Sequence, residues 1–516
     1  MVNINRISMA TLKFLDLPRI LFLILFLTLV VSLDLSDPDY FWHIKTGEQI
    51  LMHGSLPSAD IFSYTYFEHP WVLHEWLFQV LVFTIYHSLG PLGIKVMAAF
   101  LGMLALYFTY LAASHINHSR VLPALLILAC IVPMDPFISP RPQLVSFVLF
   151  SLTMLILVQF KYLKRTRYLV ALPAMMILWV NMHGGYVVGI ALLMLFTMCE
   201  FISFWLGDRL DKAYRKQLSK LAFITLITFL SSALNPDFIS HWLYPINVMS
   251  MEASRSFISE WRSPDFHSLS GQYNLLLIFG FFIAYAYREI KPDLTEVVLP
   301  VFFIAAGFVA YRHMPLAILT IIPFAGVAFA KGAAATLSEG PVGVIYKKYM
   351  SGGRQLGNAE YILNWVLTLI ITALLLLSYP ILEQRHQKER DSLIPVKATE
   401  FIIKAGLSGR MFNTYHFGGY LIYRLYPDQR VFIDGRADMY GDAFLKEYRK
   451  IYYGEIGWEK VFEKFAIDYV VCERDAPIRQ LLMLRGDFRL VYDDEKNSVL
   501  VKEAPRYAEI IANFRQ

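Results

Sequence analysis

A chain of 516 residues that is 56% hydrophobic and only 17% charged lacks the polar surface of a soluble globular enzyme, in which roughly a quarter of residues are charged. Its aromatic share of 15% suits a chain that meets both lipid and headgroups. A net charge of +5 over this length points to no nucleic acid partner. The three cysteines, Cys130, Cys199 and Cys472, have no C-x-x-C spacing, so neither a cysteine zinc site nor a disulfide framework is expected.

In chain order, the first apolar run, Leu21 to Leu33, follows Arg6, Lys13 and Arg19 and lacks a small-residue cleavage site. It is expected to stay as the first membrane helix. Further apolar runs lie at about 72–88, 92–113, 121–134, 143–160, 168–181, 187–206, 221–234, 272–287, 295–311, 314–331 and 361–379. With the first they make about 11–13 spans. The 121–134 run carries Pro123 and Pro133 and is expected to be broken or partial. Roughly half of all charged residues fall after Pro380, in about a quarter of the chain. The expected organisation is a multi-span membrane domain over 1–380, with an outer loop at 34–71, and a soluble domain over 381–516.

Lysines and arginines in short loops set orientation. Lys161–Arg167, Asp208–Lys220, Arg288 with Lys291, and Lys331 with the Lys347–Arg354 stretch all read as cytoplasmic. That count puts the soluble domain outside the cytoplasm. A count from the N-terminus, with the 34–71 loop outside, differs by one crossing within 72–160. The proline-bearing 121–134 run is the candidate for the missing crossing. In the soluble part, Val431–Asp434, Tyr469–Cys472, Phe488–Tyr492 and Ser498–Val501 read as strands. Gly419–Leu425, Asp442–Tyr452, Trp458–Phe465 and Pro477–Leu484 read as helices. The fold class is thus a polytopic α-helical membrane protein with a small C-terminal α/β domain.

Ionisable groups near a membrane are default site candidates, and on this topology most of them share the outer face. Asp37-Pro38 reads as a helix start, with Asp at the N-cap and Pro next, and the helix should run to about His53. Asp39 and His43, four residues apart, then share a face. Such a pair serves as a base with its orienting partner or as two ligands of a divalent ion. Alternatively, Asp37 only caps the helix and Asp39 only favours its positive end. Phe41, Trp42 and Ile44 would hold the helix flat among headgroups. Glu75, in His74-Glu75-Trp76, opens the second run as a candidate acid or as part of an interfacial belt. Arg141 and Gln143, and Arg312 with His313, are candidates for clamping a phosphate, against simple snorkelling for Arg141. His183 stands in Asn181-Met182-His183-Gly184-Gly185, where glycines permit close backbone approach. Glu260 lies in the long 235–271 loop. Asp434 and Arg436 follow an expected strand end, a common place for site residues. They read equally as a structural ion pair.

Together these residues resemble the GT-C superfamily of integral-membrane glycosyltransferases, which take sugars from polyprenyl-phosphate or polyprenyl-diphosphate carriers. Asp37-Pro38-Asp39 stands where that superfamily carries its acidic loop motif. The strings DPDYFWHIKTGEQI, HEW, SPRPQ, NMHGGY, YRHMP, GGYLIY and VFIDGRAD are also similar to a large group of bacterial membrane proteins placed near these enzymes. The resemblance implies a loop acid, Asp39 first and Asp37 second, that deprotonates an acceptor hydroxyl, holds a metal (Mg or Mn), or both. His43 or Glu75 would assist, and Asp39 with His43 would be the metal ligands. The implied partners are a polyprenyl-phosphate-linked sugar donor, a glycan, lipid or protein acceptor, and the bilayer. The implied place is the bacterial cytoplasmic (inner) membrane, multi-pass, with the C-terminal domain extracytoplasmic. The W-W-D-Y-G motif of oligosaccharyltransferases has no counterpart here. The rival readings are a polysaccharide or lipid-carrier transporter and a non-catalytic assembly factor for envelope polysaccharide.

Overall fold

The computed structural model describes residues 16–116, 120–207, 211–252, 259–286, 291–328 and 357–514. Arg6 and Lys13, which flank the first apolar run, and Arg209, Arg288, Lys331 and the Lys347–Arg354 stretch, which bear on orientation, lie outside the described residues. The chain forms two compact units. One comprises Met1–Leu33, Lys95–Pro245 and Ile258–Pro380; the other comprises Asp34–Ile94, Ile246–Phe257 and Ile381–Gln516.

The first unit is helical, as its uninterrupted apolar runs dictate, since a backbone in lipid must satisfy its own hydrogen bonds. Among the described residues of the chain, five helices are long and apolar enough to cross a membrane: Trp76–Ile116, Gln143–Leu163, Tyr186–Leu206, Leu269–Ala286 and Ala359–Asp391. Shorter apolar helices include Pro18–Ser32, Thr166–Met182 and Leu294–Val309. The runs at 72–88 and 92–113 belong to one continuous helical stretch whose backbone breaks at Gly90 (φ 62°, ψ −157°), just before Pro91. Only glycine adopts that conformation without strain. The 121–134 run is a helix of 14 residues, Val121–Met134, about 21 Å long at 1.5 Å per residue and therefore short of a hydrocarbon core of about 30 Å.

The second unit contains a four-stranded sheet. Its strands are β1 (Met411–Asn413), β2 (Tyr469–Glu473), β3 (Phe488–Asp493) and β4 (Asn497–Lys502), in the order β1-β2-β4-β3. β1 pairs parallel to β2, and β4 runs antiparallel to both β2 and β3. Val470, Val471 and Cys472 of β2 and Val499, Leu500 and Val501 of β4 are all buried, as expected for central strands covered on both faces. Helices Val396–Lys404, Gly418–Leu425, Ala437–Tyr453, Trp458–Lys464 and Pro477–Arg485 surround it. Three of the four expected strands and all four expected helices are present.

Val431–Asp434 is the exception. It carries a single bridge to Ser63 and is not a strand. Its backbone groups are met by other means. Val431 exchanges hydrogen bonds with Phe62 O and Tyr64 N, and Thr65 Oγ1 donates to Phe432 O at 2.6 Å. The buried Asn413 amide accepts from Phe432 N and donates to Ile433 O. The strand that alternation did not mark is β1, three residues long and wholly buried. The 34–71 segment is thus built into the same unit as the C-terminal residues.

Candidate functional site

In the second unit the acidic segment forms a tight turn ahead of the helix Asp39–His53. Asp37 Oδ1 accepts from Asp39 N at 3.1 Å, an aspartate turn that leaves Pro38 at the N-cap. The helix therefore starts one residue later than the sequence suggests, because the Asp37 side chain is used to bend the chain into it. It ends at His53, where Gly54 takes φ 63° and its N–H caps Ile50 O, a left-handed C-cap.

The apolar residues of this helix do not face headgroups, contrary to expectation. Phe41, Trp42 and Ile44 are buried in protein. Phe41 packs edge-on against Tyr420 with centroids 5.0 Å apart, and Tyr423 OH donates to Tyr86 OH at 3.1 Å. Close backbone approach makes this possible. A methyl on Gly47 would overlap Gln79 O, and one on Gly419 would overlap Pro38 O.

One turn along, His43 is buried, with Nδ1 at 3.8 Å from Glu75 Oε2 and 3.5 Å from Gln79 Nε2. Glu75 also meets His74, Oε1 to Nε2 at 3.2 Å. Burial disfavours the charged form of His74, but the Glu75 carboxylate outweighs it and raises the histidine to about 9. The loop acid turn thus leads into a carboxylate shared by two histidines. Trp42 Nε1 is buried without a hydrogen-bond partner among the described residues.

Asp434 and Arg436 belong to the same unit, and they are sealed. Asp434 is fully buried and Arg436 is 2% exposed. Arg436 pairs with Asp434 at 2.6 Å and with Asp60 at 2.7 Å. Its guanidinium lies 4.5 Å from the Trp71 ring centroid. Tyr440 OH donates to Asp434 at 2.8 Å. Burial disfavours the charged form of Arg436, but the Asp434 and Asp60 carboxylates outweigh it and hold the guanidinium well above its ordinary value. These side chains reach no open surface, and the geometry makes them a pin between the 58–71 loop and the 431–440 segment. Asp60, absent from the sequence candidates, has a local signal. Asp-x-x-Ser spacing lets one carboxylate take the N–H groups of Phe62 and Ser63.

The remaining candidates lie in the first unit. Arg141 pairs with Glu260 at 3.1 Å, each half-buried, and the Arg312 guanidinium stacks 4.4 Å from the centroid of the Trp261 ring. The 259–262 segment is held on its other side by Tyr311 N, which donates to Arg262 O at 2.9 Å. Arg141, Glu260, Arg312 and His313 are therefore gathered on one short segment. Loss of water and the adjacent Arg312 charge push His313 down to about 4, so it carries no charge at neutral pH. Gln143 is buried as the first residue of its helix. His183 is engaged locally. Its Nδ1 accepts from Gly185 N at 3.2 Å and meets Ser146 Oγ at 2.7 Å, and that hydroxyl in turn accepts from Trp179 Nε1.

Asp39 and His43 were the expected metal ligands. Among the described residues no group of three His, Cys, Asp or Glu side chains is arranged to hold an ion, and His43 faces Glu75 and Gln79.

No family model matches the chain, and no curated protein matches it. Solved structures do. The oligosaccharyltransferase of Archaeoglobus fulgidus in its apo form is 12% identical over 88% of this chain and 69% of that chain, with a TM-score of 0.56. The same enzyme tethered by a disulfide to an acceptor peptide containing the NVT sequon gives 12%, 88%, 68% and 0.55. ArnT from Cupriavidus metallidurans bound to undecaprenyl phosphate is 15% identical over 94% of this chain and 97% of that chain, with a TM-score of 0.48. At such identities the likeness is one of fold. The chain is a polytopic helical membrane protein with a GT-C-like fold and a small C-terminal α/β domain.

Proposed function

We propose that the protein transfers a sugar from a polyprenyl-phosphate or polyprenyl-diphosphate carrier to an acceptor hydroxyl at the outer face of the cytoplasmic membrane. The observation that carries this reading is the acid turn Asp37-Pro38-Asp39, set at the start of a buried helix in the first long loop of a GT-C-like fold. In this reading Asp39 takes the proton of the acceptor hydroxyl. The acceptor oxygen forms its bond to the anomeric carbon as the bond from that carbon to the carrier phosphate breaks. The phosphate leaves with the electron pair. Glu75 with His43 supports the acid turn, and Asp37 shapes it. Arg141 and Arg312 each offer a guanidinium suited to paired phosphate oxygens. Glu260 keeps Arg141 compensated until the anion arrives. The charged groups Asp434 and Arg436 serve structure rather than substrate in this scheme.

The test uses purified full-length protein, polyprenyl-linked sugars and a measurement of released carrier phosphate. Asp39→Asn should lower release by at least about 100-fold, the scale of losing a general base. Release at the wild-type rate from a normally folded Asp39→Asn protein would overturn the proposal. Running the same assay with EDTA settles metal dependence. A rate lost in EDTA and restored by Mg or Mn assigns an ion recruited at Asp39 and His43 together with substrate oxygens. A rate indifferent to EDTA assigns the chemistry to the side chains alone.

A further inference from the structure

The Asp434-Gly435-Arg436 turn has a second property besides its buried charges. A methyl added to Gly435 would lie 3.0 Å from the Asp39 carboxyl carbon and 3.2 Å from Trp42 Nε1, and nearer still to Asp39 Oδ1. The Cα of residue 435 is therefore one wall of the space in which the Asp39 carboxylate sits.

That wall is rigid. Gly435 O accepts from Ala437 N at 2.9 Å and from Tyr415 OH at 3.2 Å. Asp434 Oδ1 takes Arg436 N at 3.1 Å and Nε at 2.7 Å. The preceding residues are held by Asn413. Neighbouring glycines behave differently. A methyl on Gly418 or Gly419 would strike backbone, Ile433 O and Pro38 O respectively, and could be relieved only by moving the chain. At Gly435 the atom struck is the end of a side chain, which can rotate.

We propose that Gly435, from the C-terminal segment, is a positioning residue for the Asp39 carboxylate. Its lack of a side chain admits the rotamer in which Oδ1 lies against the 434–436 turn, and any larger residue turns the carboxylate away. The inference rests on Asp39 being the base of the proposed transfer, but its geometric part does not.

Two measurements on the full-length protein separate these. The first is thermal unfolding of the wild type, Gly435→Ala, Asp39→Ala and the double variant. Gly435→Ala should lower the midpoint when Asp39 is present and lower it less once Asp39 is alanine, because the atoms struck most closely are then gone and only Trp42 Nε1 at 3.2 Å remains. Equal losses in both backgrounds overturn the contact, as does failure of Gly435→Ala to fold in both. Failure to fold only when Asp39 is present supports it. The second is turnover of a polyprenyl-linked sugar. Gly435→Ala should lower kcat about 10–100-fold, the effect of an ångström-scale misplacement. The donor KM should stay unchanged and the acid limb of the kcat–pH profile should move, since that limb reports the base. A wild-type kcat and acid limb overturn the positioning role. If Asp39→Asn transfers sugar normally, the transfer reading falls, and the unfolding comparison still decides the contact.

Discussion

Carboxylates in this protein divide by what surrounds them. Asp434 and Asp60 are fully buried around Arg436. Removing one member of such a network leaves an uncompensated charge and costs about 3–5 kcal/mol. Arg436→Met should therefore lower the unfolding midpoint sharply, whereas Asp39→Asn should not; a calorimetric comparison of the two checks this. Glu75 lies between the extremes, bound to His74 and facing His43. Because His74 is raised from 6.5 to about 9, its contribution to stability is complete below about pH 6.5 and disappears as pH rises through about 9. His74→Gln should remove that alkaline loss, read as a flatter midpoint–pH curve between pH 7 and 10. The sequence already marked Asp37, Asp39, His43 and Glu75, because an ionisable cluster beside an apolar run is conspicuous. It did not separate Asp39 from Asp434, since burial is not written in local residue pattern.

At the scale of elements, the Asp39–His53 helix depends on glycines that let backbones meet. Gly47 faces Gln79 O, and Gly419 faces Pro38 O. Gly419→Ala should destabilise by about 1–3 kcal/mol, the usual cost of overpacking, with a measurable fall in the unfolding midpoint. The helix itself was legible, including its end at Gly54, since aromatic and apolar spacing and a left-handed glycine are local signals. Its start and its surroundings were not. The Asp37 turn displaced the first residue, and the Phe41, Trp42 and Ile44 face, which reads as a headgroup anchor, found Tyr420 and its neighbours instead. Likewise Val431–Asp434 has the apolar content of a strand but not a strand's partners. Asn413, Phe62 and Thr65 satisfy its backbone.

For the whole molecule, the proposed orientation is open to direct test. Cys130, Cys199 and Cys472 are buried, so introduced cysteines at exposed positions dominate labelling. Glu495→Cys should react with a membrane-impermeant maleimide in intact cells, and Lys216→Cys only after permeabilisation, both sites being exposed. The reverse pattern would invert the assignment of the outer face. The sequence by itself determined that this is a multi-span membrane chain with a charge-rich α/β end and an acid pair after its first helix. Hydropathy, charge distribution and turn chemistry are properties of neighbours along the chain, and each leaves a readable period or cluster. Only the tertiary structure decided that the 34–94 segment and the C-terminal residues form one compact unit, that Asp434 and Arg436 are a buried pin, and that a glycine some 400 residues away in sequence abuts Asp39. Such contacts depend on close packing between segments distant in the chain, for which a single sequence carries no periodic signal.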